Sequence, residues 1–543
     1  MGARRSMPST ARKRYYQRRI RRLGVLLTVS FVLAAVICGS LVYPVLAPDS
    51  DLGVSIANIS TPEPIEPVET NVPQATEVAA TEPAVEEPVA LTINPLPTQG
   101  QLIPPSEDTQ ILYYTNAGDS LQMVSLRFGA DIDQITSPEP IDQNGLLPPG
   151  QLLIIPNNLL EQTSSRGKLL PDSEVTFSPS TIDFDIHGFV ADAGGHLATH
   201  SQWLMSTGTT SGADVIARVA LEYSVNPRLL LAFLEYQSGW VYGSPQDSES
   251  LIYPMGHADT ARQDLYMQAA WFASRVMDGY YGWREGRRLV INFKDGQVLR
   301  LAPQLNAGTV GLMNAFTYLF EFDEWAQHLY GEDNFFDFYE SMFGSPWIRA
   351  QSVEPLIPED TLQPEMILPF EIGKTWSFTG GPHAAWSAAD VWAALDFAPA
   401  VAEGGCVESG AWVLASMSGL VVRSGNGVVV IDHDGDGYEQ TGWTLLYLHI
   451  ATNNRVPVGT WVEVGDKIGH PSCEGGRSTG THIHIARRFN GEWVPADGPL
   501  PFELSGWRAR AGVNAYQGWL IRDGQIIYAN TKSPNTAHIQ REE

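Results

Sequence analysis

Ser478-Thr479-Gly480-Thr481-His482-Ile483-His484 sets two histidines two residues apart in a short strand-like stretch behind a glycine. Side chains alternate along a strand, so His482 and His484 point to the same face. Two imidazoles on one face can reach one small volume. A catalytic metal centre needs that arrangement, with one ring on the metal and its neighbour moving protons. On their own the two histidines equally fit an ordinary strand. The decision lies upstream, in three further stretches: Trp376-Ser377-Phe378-Thr379-Gly380-Gly381-Pro382-His383, Ala393-Ala394-Leu395-Asp396-Phe397, and Leu446-Tyr447-Leu448-His449-Ile450.

Together these motifs resemble the lysostaphin-like (LytM-type) zinc endopeptidases of bacterial cell walls, and most closely their β-lytic and staphylolysin branch. In that branch a Thr-Gly-Gly-x-His stretch precedes a Leu-Asp by 13 positions, the spacing from His383 to Asp396. The commoner branch carries His-x-x-x-Asp, but the residue four before Asp396 is Trp392. The resemblance covers roughly residues 365 to 510, about a quarter of the chain. It implies Zn2+ as cofactor, held by His383, Asp396 and His484. It makes His449 and His482 the catalytic pair: His482 takes a proton from water and His449 hydrogen-bonds the tetrahedral intermediate, roles that could be exchanged. Two imidazoles and one carboxylate leave zinc with net positive charge and an open position. Gly475, Gly476, Ser478, Thr479 and Gly480 would form a narrow wall suited to a slim peptide.

The surrounding chain, residues 351–543, is β-rich. Gly419–Arg423, Gly427–Asp432 and Trp443–His449 read as strands, with Ser424-Gly425-Asn426 as a turn. An antiparallel β-sheet peptidase domain follows from the resemblance. Asp432-His433-Asp434-Gly435-Asp436-Gly437 fits the first half of a calcium loop, but Trp443 stands where a bidentate Glu belongs. It reads as an acidic hairpin tip, with a weak calcium site as the alternative. Of three cysteines, only Cys406 and Cys473 lie outside the apolar N-terminal run. Outside the cytoplasm they can form a disulfide that braces the loop before His482. Metal ligation is the alternative, without a Cys-x-x-Cys pattern to support it.

The remainder divides into five segments. Residues 1–23 hold nine Lys or Arg and no acid, and residues 24–47 carry no charge. This reads as a cytoplasmic basic segment and a single transmembrane helix, placing the later domains outside the cytoplasm at the cell membrane. Residues 48–108 are rich in Pro, Glu and Thr and read as a linker. Residues 109–157 resemble a LysM domain, a βααβ module that implies glycan binding; Asp119 or Ser120 would cap its first helix. Residues 158–350 look mainly helical.

Within that helical segment, Ala213–Tyr223 is amphipathic and Asn226-Pro227 opens a second helix. This pair resembles the opening of lysozyme-like lytic transglycosylases. Gln237 stands where their catalytic Glu belongs, and an amide cannot protonate a glycosidic oxygen. The formal net charge of −27 argues against a nucleic-acid partner. The sequence therefore points to a multidomain, membrane-anchored, peptidoglycan-directed zinc endopeptidase. Its rivals are a catalytically silent wall-binding protein and a glycan-cleaving enzyme.

Overall fold

The inner strands Val428–Asp432 and Trp443–Leu448 of the central sheet carry buried apolar residues on both faces, as a strand covered on both sides requires. A computed structural model describes residues 102–106, 108–386, 391–400 and 405–542, all in one compact unit. The basic segment, the apolar run at 24–47 and nearly all of the linker lie outside these residues. Among the described residues no helix is long and apolar enough to cross a membrane.

The chain opens with a small two-stranded unit. Strands β1 (Gln110–Tyr114) and β2 (Leu152–Pro156) pair antiparallel, with Tyr113 opposite Leu153. Between them lies helix α1 (Leu121–Phe128), whose first turn is capped by the Ser120 hydroxyl and whose end is Gly129 in the left-handed region. The expected second helix is absent. Only a 3₁₀ turn, Ile132–Gln134, follows, because Pro138, Pro140, Pro148 and Pro149 break the segment that would continue it. Asp119 does not cap. It is buried against Arg127 at 2.6 Å and takes a hydrogen bond from the Tyr113 hydroxyl. Arg127 also donates to the Trp283 carbonyl and lies over the Trp283 ring, which docks this unit on the helical region.

The helical region comprises α2 (Gly212–Tyr223), α3 (Pro227–Ser238), the long α4 (Asp264–Arg284), α5 (Ala307–Thr317) and shorter helices up to Ala350. Ser211 and Asn226 cap α2 and α3, and Pro227 sits at the first position of α3, where its missing N–H costs nothing.

The C-terminal part is a nine-stranded antiparallel sheet. Its main strands are β3 (Thr375–His383), β4 (Ala394–Pro399), β5 (Gly419–Gly425), β6 (Val428–Asp432), β7 (Trp443–Leu448) and β8 (Ile483–Phe489). Across the sheet the order runs β5-β6-β7-β8-β4-β3, with short strands at both edges. The alternation of β6 and β7 separates two cores. Val429, Ile431, Leu445 and Tyr447 face one, with Phe378, Phe397 and Ile485. Val428, Val430, Leu446 and Leu448 face the other, which is continuous with the core of the helices. A smaller four-stranded sheet, including β9 (Trp507–Ala511) and β10 (Gly518–Arg522), packs against β3.

One buried cation ties helices to sheet. Arg284, at the end of α4, lies 2.8 Å from Glu492 and 3.1 Å from Asp172. Burial opposes its charge, but the two carboxylates and the Tyr280 hydroxyl hold it protonated. Removing one member of such a group leaves the others charged and dry. Arg284→Ala is therefore expected to destabilise the folded chain by about 3–5 kcal/mol. A drop in the urea midpoint would show it, and Glu492→Gln should cost less.

Candidate metal centre and catalytic site

Strand register assembles the site. Asp396 of β4 lies directly opposite His484 of β8 on one side and opposite Gly380 of β3 on the other. The register of β3 shifts twice, between Phe378 and Gly380 and again before His383. These irregularities bring His383 beside Asp396, although 380 and 383 differ in parity. Gly380 is required by space: a Cβ there would stand 2.5 Å from Asp396 Oδ2. A Cβ on Gly381 would stand 2.6 Å from the Gln517 carbonyl.

Three buried side chains converge. His383 Nε2 is 3.2 Å and His484 Nδ1 is 3.3 Å from Asp396 Oδ1, and the two nitrogens are 3.0 Å apart. Each ring spends its other nitrogen on a backbone carbonyl: His383 Nδ1 on Gly381 at 2.8 Å and His484 Nε2 on Ala385 at 2.9 Å. With those nitrogens donating, the facing nitrogens present lone pairs to one another and to a carboxylate. Asp396 Oδ1 is buried and receives no hydrogen bond. Two lone pairs and an orphaned carboxylate oxygen at contact distance are mutually repulsive unless a cation lies among them. The donor set of two imidazoles and one carboxylate suits a transition-metal ion such as zinc.

In the metal-free cluster the ligands shift one another's charge. Burial alone would raise the Asp396 carboxyl, but the facing His383 and His482 outweigh it and hold the group well below the ordinary carboxylate range. Burial likewise opposes charge on His383, and Asp396 outweighs it, so that ring sits above its usual value. Burial pushes His484 down.

His482 and His449 complete the cluster. His482 Nε2 lies 3.8 Å from Asp396 Oδ1, and the His449 and His482 ring centres are 4.5 Å apart. His482 Nδ1 bonds the Gly480 carbonyl at 2.8 Å, and His449 Nδ1 bonds the Glu474 carbonyl at 2.9 Å. Both therefore offer Nε2 to the site. Gly475, Gly476 and Thr479 are exposed beside them, and Ser478 donates to the Gly480 carbonyl. Gly476 stands close enough to His449 that a Cβ would touch its ring edge at 3.5 Å. Cys406 and Cys473 are joined in a disulfide, with Cα atoms 5.5 Å apart, and are not metal ligands.

Residues 406–496 match Peptidase family M23, a stretch that takes in His449, His482 and His484, and residues 168–356 match the N-terminal domain of LasA. Protease LasA of Pseudomonas aeruginosa is 25% identical over 341 residues, covering 58% of this chain and 73% of that protein. The beta-lytic metalloendopeptidase of Achromobacter lyticus is 29% identical over 170 residues, 29% of this chain and 42% of that protein. The solved structure of the M23 metalloprotease pseudoalterin aligns at 24% identity and TM-score 0.26, over 31% of this chain and 96% of its own. The chain is a metalloendopeptidase whose residues 406–496 are similar to the M23 family. Its helical region is similar to the N-terminal domain of LasA.

The site includes one residue that no sequence motif marks. Tyr516, in the turn between β9 and β10, stacks on His383 with ring centres 4.1 Å apart. Its backbone also pairs with β3: Gly381 N–H donates to the Tyr516 carbonyl, and Tyr516 N–H to the Pro382 carbonyl. In the helical region, Glu235 accepts the N–H groups of Val241 and Tyr242 at 2.7 and 3.0 Å. That carboxylate is committed to the turn that follows α3.

Burial, with His482 beside it, lowers His449 to about 4. An unfolded histidine titrates near ~6.5, so between these values the unfolded chain binds the extra proton. Stability of the metal-free protein should be full above pH ~6.5 and fall as pH drops toward 4. His449→Gln should flatten that slope, as read from urea midpoints across the range.

Proposed function

We propose that this protein is a zinc endopeptidase that hydrolyses peptide bonds in peptidoglycan stems or cross-bridges. The observation that carries the reading is the convergence of His383, Asp396 and His484, with lone pairs facing one another around a buried carboxylate oxygen without a donor. These three would hold the zinc. When bound, zinc supplies Lewis acidity toward a peptide carbonyl and makes water a nucleophile at neutral pH. The relatives, a protease and a beta-lytic metalloendopeptidase, support the reaction class.

The chain's own residues supply the proton handling. His482 and His449 are each fixed with the Nδ1 proton on a carbonyl, so in the neutral state each Nε2 accepts. We assign to His482 the uptake of a proton from the attacking water. His449, neutral at the outset through burial, receives that proton on Nε2 from His482, donates the Nε2–H to the developing negative charge, and passes the proton to the leaving amine. The exposed Gly475 and Gly476 leave backbone open beside His449, which suits a slim, glycine- or alanine-rich peptide.

Residues 24–47 would anchor the protein in the cell membrane, leaving the described part outside the cytoplasm. The disulfide fits such a compartment. Residues 109–157 would bind wall glycan in the manner of a LysM domain; the β-α-3₁₀-β order there supports it. The glycan-cleaving reading is set aside because Gln237 is an amide and Glu235 is occupied.

Replacing ligands and replacing the proton-handling pair should have separable effects. His383→Ala, Asp396→Ala and His484→Ala should lose both bound zinc and activity. His449→Ala and His482→Ala should lose about 100-fold or more in turnover while zinc stays near one per chain. Full zinc and full activity in His383→Ala would refute the ligand set. Muropeptide analysis checks the substrate: new peptide termini are expected, whereas anhydro-sugars would point to glycan cleavage. Deleting residues 109–157 should weaken binding to purified walls and spare cleavage of a short soluble peptide.

A further inference from the structure

The hairpin between β6 and β7 holds a second cluster of carboxylates at the far end of β7 from His449. Asp432, Asp434 and Asp436 bring one carboxylate oxygen each within 4.8 Å of one another. Acidic hairpin tips are common and such a cluster alone means little. Asp432 is different. It is fully buried. Its Oδ2 accepts the Gly437 N–H at 2.9 Å, but its Oδ1 is buried with no hydrogen-bond donor among the described residues. A dry carboxylate with one oxygen lacking a donor, clustered with two further carboxylates, is unfavourable both by desolvation and by like-charge repulsion. A bound cation removes both costs.

We propose that Asp432, Asp434 and Asp436 bind a Ca2+ ion that is separate from the catalytic metal. The three carboxylates stand at the first, third and fifth positions of a calcium loop. Gly437 takes the sixth, with φ +92°, where such loops turn sharply, and the Tyr438 carbonyl stands at the seventh. All donors are hard oxygens and no imidazole or thiolate joins them, which separates this site chemically from the first. The loop departs from the full pattern at its twelfth position, Trp443. Glu439 does not compensate: it is buried between Arg423 at 2.8 Å and Arg488 at 3.4 Å. Water must fill the remaining positions, which puts the affinity in the range of extracellular modules, about 10⁻⁴–10⁻³ M.

The site has a structural consequence. The loop it would close joins two central strands, β6 and β7. Glu439, inside the loop, clamps Arg488 of β8, which in turn donates to the Leu221 carbonyl of α2 at 2.9 Å. Calcium would therefore fix a hairpin that touches the helix–sheet boundary. The catalytic cluster lies about 20 Å away, the length of a six-residue strand.

The test is a calcium titration of the zinc-loaded full chain, read by calorimetry. Raising Ca2+ to about 10 mM should raise Tm by roughly 3 °C. Asp434 and Asp436 are exposed, so Asp434→Asn and Asp436→Asn should fold. Both should lose the shift while keeping zinc and activity. Tb3+ offers a direct probe, because the Trp461 ring lies against Gly435 of the loop and can sensitise its emission. That emission should be displaced by Ca2+ and absent in Asp434→Asn. The proposal is overturned by no shift in the unmodified chain up to that concentration, by an undiminished shift in both variants, or by an equal shift at equal Mg2+.

Discussion

The buried carboxylate of Asp396 is the group on which the rest of the site depends. It is anionic, it lacks a donor at Oδ1, and two imidazole lone pairs face it. Only a fixed frame can hold such a group, because without a cation its surroundings would relax apart. The frame is the register of three neighbouring strands, in which Gly380, Asp396 and His484 lie in one row. Shifting any of these strands by one residue would turn its ligand to the opposite face. The backbone carbonyls of Gly381 and Ala385 then fix which nitrogen of each ring looks inward. The metal-binding chemistry is thus set by main-chain geometry before any ion arrives.

The row also lies on the sheet face shared with the helices. Ala394 and Ala486, which alternate in phase with Asp396 and His484, belong to the core that runs into the helical region. Val428, Leu446 and Leu448 extend it. A face with small alanines next to the ligands and larger residues farther out lets helices approach without filling the site. Arg284 then joins the two parts through Glu492 and Asp172. The helical region is consequently part of what supports the sheet, rather than a tethered module.

Much of this was legible in the sequence, for identifiable reasons. Period-two alternation put His482 and His484 on one face, and that holds for any strand. The amphipathic stretch Ala213–Tyr223 and the Asn226-Pro227 start announced α2 and α3, because local chemistry decides such elements. The approach of His383 to Asp396 was legible only through family spacing, since two bulges in β3 override its parity. Tyr516 was not legible. It is brought to His383 by a turn of a second sheet, and no local pattern marks a long-range stack. The absent second helix of residues 109–157 is a case where prolines decide against a family expectation. The donorless Oδ1 of Asp432 was not legible either, because sequence shows an acid and not what its oxygens meet.

His449 shows how the chain places a side chain that no regular element can place. It follows β7 directly, with φ +68°, a region that costs a residue with a Cβ roughly 1–3 kcal/mol. Had β7 simply continued, alternation would have sent this ring to the opposite face from Leu448, into the core with Tyr447. The left-handed turn instead swings it beside His482. Several bonds hold it there: Ser472 donates both its N–H and its hydroxyl to the His449 carbonyl, at 2.7 and 3.0 Å, and the Glu474 carbonyl takes the ring proton. Cys473 lies between those two residues and is tied to Cys406. The disulfide, although it is formed by none of the three metal ligands, therefore anchors the segment that keeps a strained histidine aimed at the site.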